Sequence, residues 1–253
     1  MLRGLYISAA GMTAQELNQE RISNNLANLA TVGYKKDTHV FRSFREIYLD
    51  RIDRLPGGKI NRGQVGSLHD GPLIDASVTD FSAGALQHTG GQLDLALQGR
   101  GFFTIETPDG LRYSRNGAFH LDDGGFLVNE EGYYVLGYEG RIQLAQSGCT
   151  IAADGTILLA GEPVERLLLA DFPAWERLEK TGQGLFRAPE DLAPRPAEEV
   201  VVKQGYLEQS NVDVIREMTD LIATMRIYEM NQKAIQTQDE ILGKSVNEVG
   251  SIR

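Results

Sequence analysis

Histidine and cysteine are the side chains most able to bind metals or attack substrates, and in this sequence they stand far apart. The four histidines are His39, His69, His88 and His120. They show neither the H-x-x-x-H nor the H-E-x-x-H spacing that places two ligands on one helix face. Cys149 follows a glycine and has no neighbouring histidine to activate its thiol. We therefore expect structural or surface roles for these residues.

Two glycine-containing segments could suggest nucleotide or carboxylate chemistry. Gly99-Arg100-Gly101 lacks the third glycine of a dinucleotide-binding loop and leads into a strand-like run. Asp122-Asp123 precedes Gly124-Gly125, a pattern typical of a hairpin tip. A Gly-x-Ser-x-Gly motif is absent from the sequence. The sequence therefore predicts no catalytic residues, no cofactor and no metal.

Charge and composition exclude several classes of partner. The net charge of -10 disfavours nucleic acid, because phosphate binding needs a basic surface. No uncharged run approaches the roughly 18 residues of a membrane span, so we expect no membrane insertion. Residues 1–16 are too interrupted by polar side chains for the core of a signal peptide. If the protein leaves the cytoplasm, we expect it to do so without a cleaved signal.

The two ends of the chain have the composition of helices, since 23 of the 28 glycines and all eight prolines lie between Asp37 and Gly205. Apolar residues three and four apart predict a helix over residues 2–30. Residues 211–249 predict a second helix, which Asp213 or Asn211 can cap. Its apolar residues form a heptad seam: Val214, Leu221, Tyr228, Ile235 and Leu242, with Met218, Met225 and Val246 in the companion row. We expect these helices to pack on each other and on neighbouring copies, with packing within one subunit as the alternative.

Between the helices, short alternating runs and Asp-Gly turns predict successive hairpins. The expected strands are Leu93–Leu97, Phe102–Glu106, Leu111–Ser114, Ala118–Leu121, Phe126–Val128, Tyr133–Tyr138, Thr156–Leu159 and Arg166–Phe172. Residues 42–92 are predicted to be extended with some short strands, and Pro189–Glu199 to be a surface loop. The fold class is mixed and mainly β. An N-terminal helix (1–36) and a C-terminal helix (206–253) form a coiled-coil-like assembly domain around a central all-β domain of hairpins (37–205).

Three motifs carry a family resemblance. ISNNLANLATVGYKK spans Ile22–Lys36, and GYLEQSNVDVIREMTDLI spans Gly205–Ile222. GRGFFTIETPDGLRYSRNGAFHLDDGGFLVNEEGYYVLG spans Gly99–Gly137 between them. In this order they resemble the terminal and central regions of the flagellar basal-body rod and hook protein family. A single mid-sized β domain is similar to that of the two longer rod proteins, proximal and distal, and the glycine-rich segment Lys59–Gly66 favours the distal type.

The resemblance implies a structural subunit that polymerises into a helical tube and transmits motor torque to the hook. It implies copies of itself, other rod and hook proteins, the flagellar export apparatus and surrounding ring proteins as partners. It places the protein in the basal body, within the periplasm or cell-wall region. The expected assembly interface takes residues from both terminal motifs and both helices: Leu5, Met12, Ile22, Asn24, Asn25, Leu26, Asn28, Gly33, Tyr34, Gly205, Tyr206, Leu207, Ser210, Asn211, Val214, Met218, Leu221, Met225, Tyr228, Ile235 and Leu242.

Two alternatives remain at this point. A secreted surface-fibre or adhesin subunit with coiled-coil ends would have the same layout. The other alternative is another flagellar axial protein, such as a hook component. The terminal motifs favour the rod, because generic coiled coils would not contain them.

Overall fold

The computed structural model of the protein describes residues 2–43, 46–54, 60–69, 71–144, 148–197 and 200–249. It confirms a mainly β chain with one helix at each end. Contacts group the chain into two compact units. Unit 1 contains both helices and residues 37–78, whereas unit 2 contains residues 27–36 and 79–213. The predicted boundaries at 36 and 205 therefore differ from this grouping, since residues 37–78 lie with the helices.

Unit 1 is built on two long helices. Helix α1 spans Leu2–Ala27 and helix α2 spans Val214–Val249. Helix α1 ends three residues before the predicted end at residue 30, and α2 begins three residues after the predicted start at residue 211. Both differences fall in the motif segments next to the helices, which enter unit 2 instead of extending the helices.

Four strands complete unit 1. Strand β1 (Asp37–Ser43) pairs with β4 (Pro72–Thr79), and β2 (Glu46–Arg54) pairs antiparallel with β3 (Ile60–His69). These strands account for much of the segment predicted to be extended. Lys59, the first residue of the glycine-rich segment, lies outside the described residues.

Unit 2 contains sixteen short strands within the described residues. They are β5 (Leu86–His88), β6 (Leu95–Gly99), β7 (Phe102–Thr107), β8 (Gly110–Ser114), β9 (His120–Leu121), β10 (Leu127–Val128), β11 (Tyr134–Val135), β12 (Cys149–Ile151), β13 (Thr156–Leu159), β14 (Glu162–Arg166), β15 (Leu169–Asp171), β16 (Glu179–Gly182), β17 (Leu185–Arg187), β18 (Arg195–Pro196), β19 (Val200–Gln204) and β20 (Tyr206–Glu208). Each of the eight predicted strands overlaps one of these. Strand β18 lies inside the predicted loop Pro189–Glu199, whose last two residues lie outside the described part of the chain.

The largest sheet of unit 2 has nine strands in the order β16-β17-β8-β7-β11-β10-β9, with β15 between β7 and β18. Strand β7 is central, and its first four residues are buried on both faces. Because successive side chains in a strand point to opposite faces, Phe102 and Phe103 enter two different apolar cores. The unbroken apolar run at this point is thus explained by two cores on one strand.

The last two strands of unit 2 pair with strands from its beginning. Strand β19 is antiparallel to β6 and β20 is antiparallel to β5. The segment just before α2 therefore completes two sheets that start about a hundred residues earlier in the chain.

Candidate assembly interface

The two helices of unit 1 meet along a row of polar and glycine residues. Positions seven residues apart on α1 face positions seven apart on α2, and the pairing is antiparallel. We call these four pairs the polar ladder: Gly4 with Gln238, Gly11 with Asn231, Asn18 with Thr224, and Asn25 with Glu217.

Two pairs of the ladder are joined by hydrogen bonds. Asn18 Nδ2 donates to Thr224 Oγ1 at 3.0 Å, and Asn25 Nδ2 donates to Glu217 Oε2 at 3.4 Å. Arg21 Nη1 lies 3.4 Å from the same carboxylate oxygen, and Glu217 is only 4% exposed. Groups removed from water in this way destabilise the fold when their partners are lost. These contacts therefore specify one register of the helix pair.

The other two pairs depend on glycine. A Cβ atom added to Gly11 would lie 3.0 Å from Asn231 Nδ2, and one added to Gly4 would lie 2.6 Å from Gln238 Nε2. Ordinary contacts of a Cβ atom are longer than 3.4 Å. The amide groups of α2 thus occupy the space that a side chain on α1 would fill.

The apolar heptad row of α2 is half-buried, but its predicted companion row is not. Met218, Met225 and Val246 are exposed by 51%, 46% and 71%. A polar row of α2 faces α1 in its place. This row includes the buried Glu217 and Thr224. The apolar companion row therefore does not lie against α1 within one subunit, and its packing on neighbouring copies stays a prediction.

Large apolar side chains cover another face of α2. We call this surface the outer stripe: Ile215, Met218, Ile222 and Met225, exposed by 80%, 51%, 52% and 46%. Their spacing of three and four residues places them on one side of the helix. Exposed apolar side chains that adjoin one another in this way are typical of a site that binds another molecule.

Both terminal motifs and the central motif meet in unit 2. Asn211 accepts a hydrogen bond from the backbone N–H of Lys36 at 2.8 Å through Oδ1, and its Nδ2 donates to the carbonyl of Asp80 at 2.8 Å. The amide of Asn211 is thus engaged here and does not cap α2. Gly33 has φ of +66°, and its N–H donates to the carbonyl of Glu208 at 2.7 Å.

Three charged side chains are buried at this meeting point, and we call them the buried triad: Lys35, Arg115 and Glu208. Their side chains are 1%, 4% and 1% exposed. Lys35 Nζ lies 2.5 Å from Glu208 Oε1, and Arg115 Nη1 lies 3.4 Å from Oε2. Burial lowers the pKa of Lys35 and of Arg115, while the carboxylate of Glu208 opposes both shifts. The triad therefore ties the three motifs together electrostatically.

The structure places the predicted interface residues in two locations. In unit 1, Ile22 and Asn25 are buried, Asn24 is exposed, and Leu5, Met12 and Leu26 are half-buried. The amide of Asn25 exchanges two hydrogen bonds with the backbone of Asp37. The predicted residues in unit 2 are buried or half-buried: Asn28, Gly33, Tyr34, Gly205, Tyr206, Leu207, Ser210 and Asn211.

Sequence reasoning missed the buried triad and the polar ladder. Lys35, Arg115 and Glu208 stand inside the three motifs, so their positions were marked, but their burial was not. The ladder could have been found from glycines and amides that recur every seven residues on α1: Gly4, Gly11, Asn18 and Asn25.

The described residues contain no group of three or more His, Cys, Asp and Glu that could hold a metal ion. Cys149 is buried, and burial raises the pKa of its thiol, so it is not an activated nucleophile.

A polar cleft of about 320 Å³ in unit 1 is lined by Arg21, Asn24, His39 and their neighbours. Neither helix within the described residues is long and apolar enough to cross a membrane.

Comparison with known proteins identifies the family. Three family models match: "Flagella basal body rod protein" over residues 5–35, "Flagellar hook protein FlgE/F/G D1 domain" over 96–159, and "Flagellar basal body rod FlgEFG protein C-terminal" over 203–248. The flagellar basal-body rod protein FlgG of Bacillus subtilis is 34% identical over 264 residues, covering 98% of this chain and 99% of the relative. The chain belongs to the flagellar basal-body rod protein family.

Other relatives indicate which branch of this family the chain resembles. The flagellar basal-body rod protein FlgG of Agrobacterium fabrum is 37% identical and covers 95% of this chain and 97% of its own length. The flagellar hook-basal body complex protein FlhO of Bacillus subtilis is 30% identical over the whole of both chains. The predicted resemblance to the distal rod branch of the rod protein family is thus confirmed. The matched ranges overlap the three motifs that meet around the buried triad.

Proposed function

We propose that this rod-family protein is a structural subunit of the distal flagellar rod that polymerises with copies of itself through α1 and α2. The outer stripe carries the proposal. Within one chain the apolar side chains of the outer stripe are 46% to 80% exposed, although the helix buries smaller and polar groups against α1. A second copy is the occupant that a helical polymer would supply.

Burial of the outer stripe would stabilise a contact between copies. Burying one such apolar side chain fully contributes about 1.5–3 kcal/mol, and these side chains are roughly half-exposed. Four of them would therefore contribute about 3–6 kcal/mol in one contact. The polar ladder within the subunit contributes register more than stability, since each hydrogen bond has a net value of about 1 kcal/mol.

The predicted interface residues then divide into two roles. We propose that the exposed Asn24, Met218 and Met225 contact neighbouring copies directly, along with the outward edges of the half-buried heptad row. The buried Ile22 and Asn25 support the helix pair, whereas Gly33, Tyr34 and Gly205 shape the segments that lead into unit 2. We also propose that the half-buried motif residues of unit 2 contact neighbouring copies.

We also propose the role of the polymer and its wider partners. The subunit acts mechanically and not as a catalyst, transmitting torque from the motor to the hook. Other rod and hook proteins join the ends of the polymer, and the export apparatus delivers the chain to the periplasmic or cell-wall region of the basal body. The surrounding ring proteins are neighbours of the assembled rod. The two FlgG relatives are named as basal-body rod proteins, which supports the rod over a surface fibre or a hook component.

The test removes the outer stripe without touching the helix pair. Ile222→Ser combined with Met225→Ser should abolish polymer formation in sedimentation assays and swimming in a strain that lacks the native gene. Circular dichroism of the monomer should be unchanged, because both side chains are exposed. Ala223→Ser, an exposed neighbour outside the stripe, is the matched control. A double variant that polymerises and swims like the wild type would exclude the stripe as the interface between copies.

A further inference from the structure

The buried triad places one carboxylate between two cations. Glu208 accepts from Lys35 Nζ at 2.5 Å, from the N–H of Gly84 at 3.0 Å and from Arg115 Nη1 at 3.4 Å. Both cations are almost entirely removed from water. The carboxylate is therefore the counter-charge that makes their burial tolerable, since an unpaired buried charge is strongly destabilising.

The other partners of the two cations are neutral. Lys35 Nζ donates to the carbonyl of Ser82 at 2.7 Å, and Arg115 donates to the carbonyls of Leu97 and Gly99 at 3.2 and 2.7 Å. These dipoles solvate a charge but do not cancel it. The carboxylates of Asp80 and Asp171 act on Lys35 and Arg115 only through longer-range attraction. Without Glu208, two positive charges would face each other inside unit 2.

The three members of the triad come from distant parts of the chain, and the carboxylate comes last. Glu208 is 173 residues after Lys35 and 93 residues after Arg115. It lies on β20, which with β19 closes the two sheets begun by β5 and β6. Contacts that close such long loops form late in folding, because the entropy of closure must be overcome first.

We propose that Glu208 is the closing lock of unit 2: the unit becomes stable only when the segment before α2 has docked and its carboxylate has neutralised Lys35 and Arg115. A chain whose last fifth has not yet docked holds two cations that resist burial, so its β strands remain open. This inference concerns the folding of unit 2 and stands independently of the proposed assembly. It makes the C-terminal motif a condition for folding as well as a connection to α2.

Trp175, the single tryptophan of the chain, reports on the lock directly. Its ring packs on the apolar core of unit 2, and the guanidinium of Arg115 lies 5.3 Å from its centroid. Urea unfolding of the full chain, followed by the fluorescence of Trp175, therefore measures the folding equilibrium of this unit.

The decisive variants change charge and keep shape. Glu208→Gln should lower the folding equilibrium constant at least about 100-fold, because it leaves both cations buried. Adding Lys35→Met to Glu208→Gln should raise the constant again by about tenfold or more, since one of the two cations is then gone. Glu106→Gln is the matched control, because Glu106 forms an exposed ion pair with Arg141 in the same unit and should change the constant less than about fivefold.

Kinetics test the order of events. If the carboxylate docks last, Glu208→Gln accelerates unfolding and leaves the refolding rate nearly unchanged. Refolding slowed in proportion to the lost stability would overturn the late docking. A double variant that is no more stable than Glu208→Gln, or that fails to fold, would overturn the charge-based lock, because removing a cation would then relieve nothing.

Discussion

The conformation of Gly33 gives the sharpest quantitative prediction for unit 2. This residue has φ of +66°, which alanine adopts at a cost of about 1–2 kcal/mol. A Cβ atom at this position would also lie 2.5 Å from the carbonyl carbon of Arg115 and 2.5 Å from the nitrogen of Asn116. Both are backbone atoms and cannot rotate away, so relief requires a backbone shift costing about 1–3 kcal/mol. Gly33→Ala should therefore destabilise unit 2 by about 2–5 kcal/mol.

Gly184 separates the two contributions. Its φ is +69°, but a Cβ atom added there would meet nothing within 4 Å. Gly184→Ala should consequently lose only the conformational part, about 1–2 kcal/mol. Any entropy that alanine removes from the unfolded chain is common to both variants and cancels in their difference. We expect Gly33→Ala to be less stable than Gly184→Ala by about 1–3 kcal/mol.

The assay is equilibrium unfolding in urea at constant temperature, followed by the fluorescence of Trp175. Both glycines belong to the same compact unit as this tryptophan, so a single probe compares them. Equal losses for the two variants would refute the reasoning, because the close contact between the motif of Gly33 and the backbone of Arg115 and Asn116 would then have no energetic effect.

Three further predictions concern other sites. Gly243→Ala should stabilise α2 by up to about 1 kcal/mol, whereas Gly11→Ala should gain less because the amide of Asn231 must move; thermal melting by circular dichroism compares them. The buried thiol of Cys149 should resist Ellman's reagent in the folded protein and react fully in concentrated urea, and rapid native labelling would contradict its burial. Burial lowers the pKa of His39 below its ordinary value of 6.5. The contribution of the neutral imidazole to stability is therefore present above pH 6.5 and is lost as the pH falls through the lowered pKa. Nuclear magnetic resonance titration gives that pKa, and melting curves of His39→Gln should show a weaker dependence on pH.

Local chemistry was sufficient to predict both helices and eight of the strands, but it left other strands of unit 2 unpredicted. Thr156–Leu159 was predicted with the observed bounds, because Asp154-Gly155 forms the turn before it. The heptad row of α2 predicted a long helix, and the helix is present over 36 residues. Strands β16 and β17 were missed, although the glycines between them are typical of a hairpin turn. The residues Glu179–Gly182 show no apolar alternation, so their pattern predicts a loop.

Long-range polar pairing could not be predicted from one sequence. Lys35 and Glu208 are 173 residues apart, and no local pattern indicates that a lysine and a glutamate will be buried together. The polar row of α2 that faces α1 was missed for a related reason. Periodicity counts apolar residues, so it selected Met218 and Met225, whereas the side that faces α1 carries Glu217 and Thr224.

The glycines and amides that join α1 to α2 have a mechanical consequence. In an apolar seam one helix can slide slightly along the other, because apolar contacts are not directional and change little. Here the side-chain amides of Asn231 and Gln238 occupy the gaps that Gly11 and Gly4 leave on α1. Since α-helices rise 1.5 Å per residue, the next matching gap lies about 10.5 Å away. A rod whose subunits hold their helices in this way would resist small axial displacements and return to the same register when the load is removed.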